Sequence, residues 1–437
     1  MTDQSIDSLL PLAQDYHRTG RVSDAERMYK QIVAEQPDHT EAWYLLGILF
    51  FQTGRKRQSI EYLQKASASA PDNADILASL GSIRAELGDY ESAVVDLRRA
   101  TEVGADDPKP FTRLGMVLME TGRYEEAIPV YQRLNAMMPQ AAGGLFNLGR
   151  AYEGLGRHED AIGAYEQAIA RKPNYADAYA GIAAALLDLD RPEEALEPCE
   201  QCLQRAPGDT YALALKAVAL DALGERDRVD YLVDIERFVR PGRIEPPDGY
   251  DSVEAFNAAL IEHISNHPTL SFDLPAVSCH NGVTSDNLLA EPKGPVAHLE
   301  EMLGRAFNAY RGALPDDPHP FVRAAPSRWR MEMWATLLDR QGHQSAHIHP
   351  TGWLSGVYYV QVPEVVSDGD PGHAGWIELG HPPDHFPRPK TPGLRYFRPE
   401  PGMFLFFPSY VYHRTVPFDS ETRRVSIAFD FEPLAAG

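Results

Sequence analysis

A 34-residue period in the first half of the chain constrains its fold more than any other feature of the sequence. The period is marked by a recurring Leu-Gly pair, at Leu46-Gly47, Leu80-Gly81, Leu114-Gly115 and Leu148-Gly149. Large residues, turn glycines, small residues and closing prolines keep the same spacing around the pair. Such a period predicts supersecondary units that stack on one another, because no single unit can bury its apolar face alone.

The spacing predicts two short amphipathic helices in each unit, with small residues where they approach and a proline after the second. Six units are expected, followed by a capping helix at about 210–225; the units are 6–39, 40–73, 74–107, 108–141, 142–175 and 176–209. The pattern resembles the tetratricopeptide repeat. This resemblance implies a solenoid whose groove holds a peptide or protein partner or mediates self-association, and a scaffold or spacer is nearly as good an interpretation.

A Cys-x-x-Cys pair in the sixth unit is interpreted as core packing. Cys199 and Cys202 occupy the helix positions that hold Tyr165 and Ala168 one unit earlier, and there is no second cysteine pair. Free cysteine behaves as a small apolar residue, so these positions predict burial rather than metal or redox chemistry.

Composition narrows the class of partner. The chain has 437 residues, which favours two domains, and a formal charge of −22 from 63 acidic and 41 basic side chains. Such a charge repels phosphate backbones, so nucleic acid is not expected as the main partner. The sequence contains no apolar run long enough for a membrane span, and its start lacks the pattern of a secretory signal. Three cysteines cannot build a disulfide framework, and all of this predicts a reducing cytoplasm.

The character of the sequence changes after Gly224, where the repeat period ends. The expected division is a repeat array over 1–225, a proline-rich linker over 226–250 and a second domain over 251–437. Helical spacing covers 252–267 and 297–311, and short strands separated by proline and glycine follow from about residue 328. The predicted fold class is therefore an all-α repeat solenoid followed by a mainly-β antiparallel domain of the jelly-roll kind, with flanking helices.

The candidate chemistry lies on these strands. His347 and His349 are two residues apart, so on a strand both imidazoles would project to one face. His413 follows another strand, and Arg424 begins the last one with Ser426 on the same face. Neutral imidazole is a common ligand of transition metals, and a guanidinium with a neighbouring hydroxyl suits a carboxylate.

This order resembles the 2-oxoglutarate/iron(II) oxygenase superfamily. The resemblance rests on three stretches, HisIleHisProThrGlyTrpLeuSerGlyValTyrTyrVal, ProGlyMetPheLeuPhePheProSerTyr and ArgValSerIleAlaPhe, and covers about 327–433. It implies iron on His347 and His413 and the distal carboxylate of 2-oxoglutarate on Arg424, with Ser426 assisting. Where the superfamily usually has Asp or Glu this chain has His349, which is expected to complete a triad of three neutral ligands.

Tyr359 is expected as a further hydrogen-bond donor to the cosubstrate, again by resemblance. The resemblance implies Fe(II), 2-oxoglutarate and O2 as cofactors or cosubstrates, with ascorbate as an optional addition, and hydroxylation of a substrate C–H bond. A peptide or protein substrate delivered by the repeat groove is preferred, and a small molecule is the other expectation. Two alternatives are kept, a three-histidine dioxygenase of cupin type that does not use 2-oxoglutarate, and an adaptor without catalytic turnover.

Overall fold

The computed structural model describes residues 6–272, 278–290, 292–387 and 393–434. The chain forms two compact units, Met1–Pro173 and Asn174–Gly437. Unit 1 is entirely helical where it is described, and unit 2 combines helices with the sheets that carry the candidate site. Among the described residues, no helix is both long and apolar enough to cross a membrane.

Unit 1 consists of five consecutive helix pairs, in agreement with the predicted repeats. From the second pair onward, each predicted unit begins at the first residue of its first helix, and the apolar faces of neighbouring helices form continuous core clusters. The helices are α1 Ile6–Arg18, α2 Val22–Glu35, α3 Thr40–Gln52, α4 Lys56–Ser69, α5 Ala74–Glu86, α6 Tyr90–Val103, α7 Pro108–Glu120, α8 Tyr124–Met137, α9 Ala142–Gly154 and α10 His158–Arg171.

Two glycine positions explain why the period is so regular. A Cβ on Gly47 would lie 2.7 Å from Cγ of Leu63, so only glycine lets the two helices of that pair approach this closely. The turn between the paired helices needs a left-handed residue, which is glycine at φ 76° in Gly54 and φ 68° in Gly156. In the sixth unit Asp190 takes that position at φ 56°, and aspartate tolerates this conformation better than most residues.

Unit 2 opens with the sixth repeat and the predicted capping helix. Cys199 and Cys202 are fully buried there, and burial raises the pKa of both thiols to about 12, which confirms the prediction of core packing. The helices predicted over 252–267 and 297–311 are also confirmed. The helices of unit 2 are α11 Ala176–Asp188, α12 Pro192–Arg205, α13 Thr210–Leu223, α14 Arg226–Val233, α15 Ile235–Phe238, α16 Val253–Ser265, α17 Val296–Gly312 and α18 Pro320–Arg323.

The strands of unit 2 form two antiparallel sheets, as the predicted fold class requires. The larger sheet has the order β1-β8-β5-β10-β4-β3-β2 and the smaller one the order β7-β6-β9. The strands are β1 Arg240–Arg243, β2 Ser271–Phe272, β3 Cys279–Thr284, β4 Trp329–Gln344, β5 Leu354–Gln361, β6 Ile377–Leu379, β7 Arg395–Phe397, β8 Met403–Pro408, β9 His413–Thr415 and β10 Arg424–Pro433. The apolar face of β10 is buried against aromatic rings, with Phe431 stacked on Phe307 at 4.0 Å between ring centroids.

The stretch 226–250, which the sequence predicts to be a linker, contributes α14, α15 and β1 to unit 2. Strand β1 pairs with β8, and the phenol of Tyr410 donates a 2.7 Å hydrogen bond to the carbonyl oxygen of Leu232 in α14. The phenol of Tyr310 likewise donates to the carbonyl oxygen of Phe238. Residues up to Arg243 are therefore integrated with the larger sheet, and the boundaries 1–225 and 251–437 stay a prediction.

Candidate active site

Three imidazoles converge at one end of the two sheets. His347 and His413 are paired through the backbone, and each N–H donates to the carbonyl oxygen of the other, at 3.1 and 3.0 Å. His349 is anchored by its N–H to the carbonyl oxygen of Ser409 at 3.1 Å. One ring nitrogen from each histidine lies within 4.8 Å of the others. In the described part of the chain, this is the one group of three or more possible metal ligands at such spacing.

The secondary structure around His347 and His349 differs from the prediction. Strand β4 ends at Gln344, so His347 lies in an isolated bridge and His349 lies outside any strand. The rings nevertheless share one side, with centroids 5.3 Å apart and an interplanar angle of 22°. The prediction that both histidines lie on a strand is wrong, because it is the bridge to His413 that orients them.

Every imidazole in the cluster uses its Nδ1 atom for a hydrogen bond to an oxygen. A carbonyl or carboxylate oxygen only accepts, so Nδ1 must carry the proton and Nε2 must carry the free lone pair. The three partners of Nδ1 are the carbonyl of Ser345 for His347 at 2.7 Å, the carboxylate of Asp430 for His349 at 2.6 Å, and the carbonyl of Val411 for His413 at 3.1 Å. All three rings are thus held in the tautomer that binds a metal through Nε2.

Burial keeps two of these imidazoles neutral. It lowers the pKa of His347 to about 4, and the neighbouring His349 contributes in the same direction. Burial lowers the pKa of His413 well below its ordinary value, again with help from the adjacent imidazoles. A neutral ring with an available Nε2 is the form that a cation needs.

A second polar group lies on the larger sheet beside the imidazoles. Arg424 is only 1% exposed, and its Nε and Nη1 atoms have no hydrogen-bond partner among the described residues. The same holds for the hydroxyls of Tyr359 and Thr336. The guanidinium carbon of Arg424 lies 5.0 Å from the centroid of the Tyr359 ring. Burial lowers the pKa of Arg424 and raises that of Tyr359 to about 12, which leaves the phenol neutral.

Strand register explains why these side chains meet. Ser426 on β10 lies opposite Thr336 on β4 and opposite Tyr359 on β5, and Arg424 is two residues earlier on the same strand. Paired residues of neighbouring strands project to the same face of a sheet, so the four side chains form one patch. The hydroxyl of Ser426 lies 3.5 Å from the carbonyl oxygen of Thr336.

A narrow cavity connects the imidazoles with the guanidinium. Its lining includes His347, His349, His413, Arg424 and Ser426, and its volume is about 20 Å³, so only a water-sized ligand fits without movement of side chains. A wider cleft of about 480 Å³ shares part of this lining and is also lined by three histidines outside the cluster, His343, His381 and His385. The shared residues are Gln344, Arg414 and Thr415.

The structure brings together all the residues predicted for the site, with one difference in position. Tyr359 contacts the guanidinium of Arg424 and is not among the described residues that line the cavity. Sequence reasoning missed Thr336, whose position depends on strand pairing. It also assigned no role to Asp430, whose carboxylate accepts a hydrogen bond from Nδ1 of His349.

Parts of the chain match models of known protein families. Residues 332–430 match the family model described as "Putative 2OG-Fe(II) oxygenase". Models described as "Tetratricopeptide repeat" match 10–74, 49–110 and 146–210, and another matches 109–174. The chain therefore combines tetratricopeptide repeats with a domain of this oxygenase family, as the sequence predicts.

The chain is similar to several solved structures over part of its length. One titled "Crystal structure of MamA protein" is 22% identical, with a TM-score of 0.38, covering 40% of this chain and 96% of its own. One titled "Crystal structure of YrrB: a TPR protein with an unusual peptide-binding site" is 18% identical, with a TM-score of 0.39, covering 42% and 95%. A tetratricopeptide repeat protein from Parabacteroides merdae is 16% identical, with a TM-score of 0.41, covering 52% and 91%. The chain has no match among curated proteins.

Proposed function

We propose that unit 2 is a 2-oxoglutarate- and Fe(II)-dependent oxygenase that hydroxylates a C–H bond of its substrate. Fe(II) would be held by His347, His349 and His413, each through Nε2. Three protein ligands leave three positions of an octahedral ion open, which is the number needed for a chelating cosubstrate and dioxygen. The tautomers fixed by the hydrogen bonds at Nδ1 fit this role.

The observation that carries the proposal is the buried guanidinium of Arg424, which forms no ion pair with the residues that the structure describes. A buried charge that lacks a partner costs several kcal/mol, and such charges in proteins are nearly always paired. Among those residues, the Nε and Nη1 atoms of Arg424 have no hydrogen-bond partner, and the side chain lines the same cavity as the imidazoles. A ligand that chelates the metal at one end and presents a carboxylate at the other satisfies both groups, and 2-oxoglutarate is such a diacid.

The residues of this chain would bind, orient and enclose the reactants. When bound, Fe(II) and 2-oxoglutarate supply the oxidising chemistry, in which O2 and the diacid yield succinate, CO2 and one oxygen atom for the substrate. Arg424 would hold the far carboxylate, and the hydroxyls of Ser426, Thr336 and Tyr359 would surround the guanidinium end. The cavity must widen when the diacid enters, since its present volume is about 20 Å³.

The outward cleft would admit the substrate. It shares Gln344, Arg414 and Thr415 with the cavity, and its lining of histidines and prolines offers hydrogen-bonding and apolar contacts. We propose a peptide or protein side chain as the substrate, brought to the domain by the repeat array, because arrays of this class commonly hold peptides. A small-molecule substrate and a cytoplasmic location remain expectations from the sequence. Neither the site nor the family match supports a role for ascorbate.

Anaerobic titration tests the proposal. Purified protein is loaded with Fe(II) in the absence of oxygen and titrated with 2-oxoglutarate, and the visible charge-transfer band of the chelate is followed. Wild type should develop the band, and Arg424→Ala should require at least about 100-fold more 2-oxoglutarate, because a buried charged hydrogen-bond partner is lost. Arg423→Ala is the matched control, since Arg423 is the adjacent arginine but is exposed and paired with Asp339.

Two results would support other functions. Protein that binds Fe(II) but never develops the band, and forms no succinate, would be a three-histidine dioxygenase in which Arg424 binds the carboxylate of the substrate itself. Protein that retains no stoichiometric metal would be an adaptor, and the oxygenase assignment would then be wrong.

A further inference from the structure

The buried carboxylate of Asp430 accepts a hydrogen bond from the Nδ1 atom of His349. The Oδ1 and Nδ1 atoms are 2.6 Å apart, and the residues Asp430 and His349 are 5% and 7% exposed. Because Nδ1 carries the proton of this hydrogen bond, Nε2 carries the lone pair of His349 that is free for a cation. The carboxylate of Asp430 is therefore linked by one hydrogen bond to the cluster of three histidines and is not one of its possible metal ligands.

Two serines hold this carboxylate in place. The hydroxyl of Ser355 donates to Oδ1 of Asp430 at 2.6 Å and lies 2.8 Å from the hydroxyl of Ser409. Both serines are fully buried, and Ser409 also accepts the backbone N–H of His349 through its carbonyl oxygen. The turn after His349 is packed tightly over this group, since a Cβ on Gly352 would lie 2.6 Å from the hydroxyl oxygen of Ser409. The carboxylate thus has a fixed position.

The arrangement bears on the unusual composition of the triad. Three neutral imidazoles leave the full charge of a divalent cation uncompensated, whereas a ligand set with one carboxylate would neutralise part of it. A carboxylate that accepts a proton donor from a ligand imidazole makes that ring a stronger electron donor and fixes its orientation. It also places a negative charge near the ion, where the low dielectric of the interior makes it effective.

We propose that Asp430, held by Ser355, is a positioning residue for the metal site. Its hydrogen bond orients His349, and its carboxylate supplies the negative charge that the three neutral imidazoles lack. The inference rests on the proposed metal site and goes beyond it, because it assigns a role to a side chain that does not touch the ion. It also gives a reason for histidine at position 349. An aspartate there would put a second carboxylate beside Asp430 in a buried place, and like charges at that distance disfavour each other.

Metal affinity measured with Co(II), a stable substitute for Fe(II), tests this role without any assay of turnover. Full-length wild type, Asp430→Asn and Ser355→Ala are titrated with Co(II), and both the dissociation constant and the positions of the visible bands are recorded. Asp430→Asn should bind about 10- to 100-fold more weakly, the range found when an outer partner of a ligand histidine is lost. Ser355→Ala should shift the affinity in the same direction by a smaller factor, and both should move the bands.

Glu432→Gln is the matched control. Glu432 is a buried carboxylate two residues further along β10, and its carboxylate forms an ion pair with the guanidinium of Arg330. Its substitution should leave Co(II) affinity and the bands unchanged. Circular dichroism identifies variants that fail to fold, and Ser355→Ala decides the question if Asp430→Asn is one of them.

The outcomes distinguish an error in the proposed metal site from an error in the role of Asp430. If wild type does not bind Co(II), the metal site itself is wrong. If wild type binds Co(II) and folded Asp430→Asn and Ser355→Ala show the same affinity and bands, the site stands and the role of Asp430 is refuted.

Discussion

The two polar groups of the candidate site differ in how completely the protein satisfies them. Each imidazole of the cluster has a hydrogen-bond partner at Nδ1 and an available nitrogen at Nε2. The guanidinium of Arg424 is fully buried, yet two of its nitrogens have no partner among the described residues. The first group is prepared for a cation and is stable without one, whereas the second carries an energetic cost that only an anion can remove.

This contrast suggests an order of assembly. A neutral, hydrogen-bonded cluster can bind its metal without rearrangement, because its rings are already oriented. The buried guanidinium of Arg424 destabilises the folded protein until an anion binds to it, so binding of the cosubstrate should stabilise the protein strongly. Four experiments test this difference between the cation site and the anion site.

Removal of residues 1–250 should destroy both groups at once. The hydroxyl of Thr210 in α13 donates to the carbonyl oxygen of Gly352 at 3.0 Å, close to His349, and strand β1 pairs with β8. A chain of residues 251–437 should therefore aggregate or lose Co(II) binding altogether. A chain of residues 174–437 should fold and bind Co(II) like the full-length protein, because it is the compact unit. Wild-type metal affinity in the shorter chain would contradict this account.

His413→Ala should abolish the cation site and leave the anion site in place. Loss of one of three ligands should weaken Co(II) binding by more than about 100-fold, since each protein ligand contributes several kcal/mol to the binding free energy. The matched control is His343→Ala, because His343 stacks on His280 and lies outside the cluster. Equal Co(II) affinity in the two variants, measured by titration, would show that the imidazoles do not share one ion.

Arg424→Met should stabilise the protein while it destroys cosubstrate binding. Replacing an unpaired buried charge by an apolar side chain of similar length should raise the free energy of unfolding by about 1–4 kcal/mol in the absence of 2-oxoglutarate. Added 2-oxoglutarate and metal should raise the stability of wild type and not of the variant. Urea unfolding with and without ligand measures both effects. A variant less stable than wild type would indicate that Arg424 already has its partner.

Acidification should destabilise the metal-free protein through the buried imidazoles. In the folded protein His347 has a pKa of about 4, whereas an unfolded histidine titrates near about 6.5, so between these values the unfolded state binds more protons. Stability should fall as the pH drops through this window, by up to about 1.4 kcal/mol per pH unit for one such ring. Urea unfolding at several pH values measures the slope. His347→Gln should reduce it, and an unchanged slope would contradict the assigned cause.

The helical repeats could be predicted almost to the residue because their determinants are local. Glycine at a left-handed turn and glycine at a close helix contact recur at fixed spacing, so the period alone marks where each helix begins. The β-domain was predictable in class, and its strands from β4 onward were predictable as a group, since short apolar runs separated by proline and glycine are visible from about residue 328. Strand β1 was not, because Arg-Pro-Gly-Arg resembles a linker. Proline is tolerated there since β1 lies at the edge of its sheet.

The sequence predicts which residues form most of the site, but not the hydrogen bonds that connect them. The histidines and Arg424 follow from the residue types and from the resemblance to a known superfamily. The role of Thr336 depends on which strand pairs with β10, and the partner of His349 depends on an 81-residue separation between His349 and Asp430. Contacts of this kind arise from the register of distant strands, which no local pattern encodes.

A crystal structure of the protein loaded anaerobically with Fe(II) and 2-oxoglutarate would show whether the imidazoles and the guanidinium bind one metal chelate. We expect one metal ion bound by Nε2 of His347, His349 and His413, the far carboxylate of the diacid against Arg424, and Asp430 still hydrogen-bonded to Nδ1 of His349. A metal ion ligated directly by Asp430, or a diacid bound away from Arg424, would contradict it.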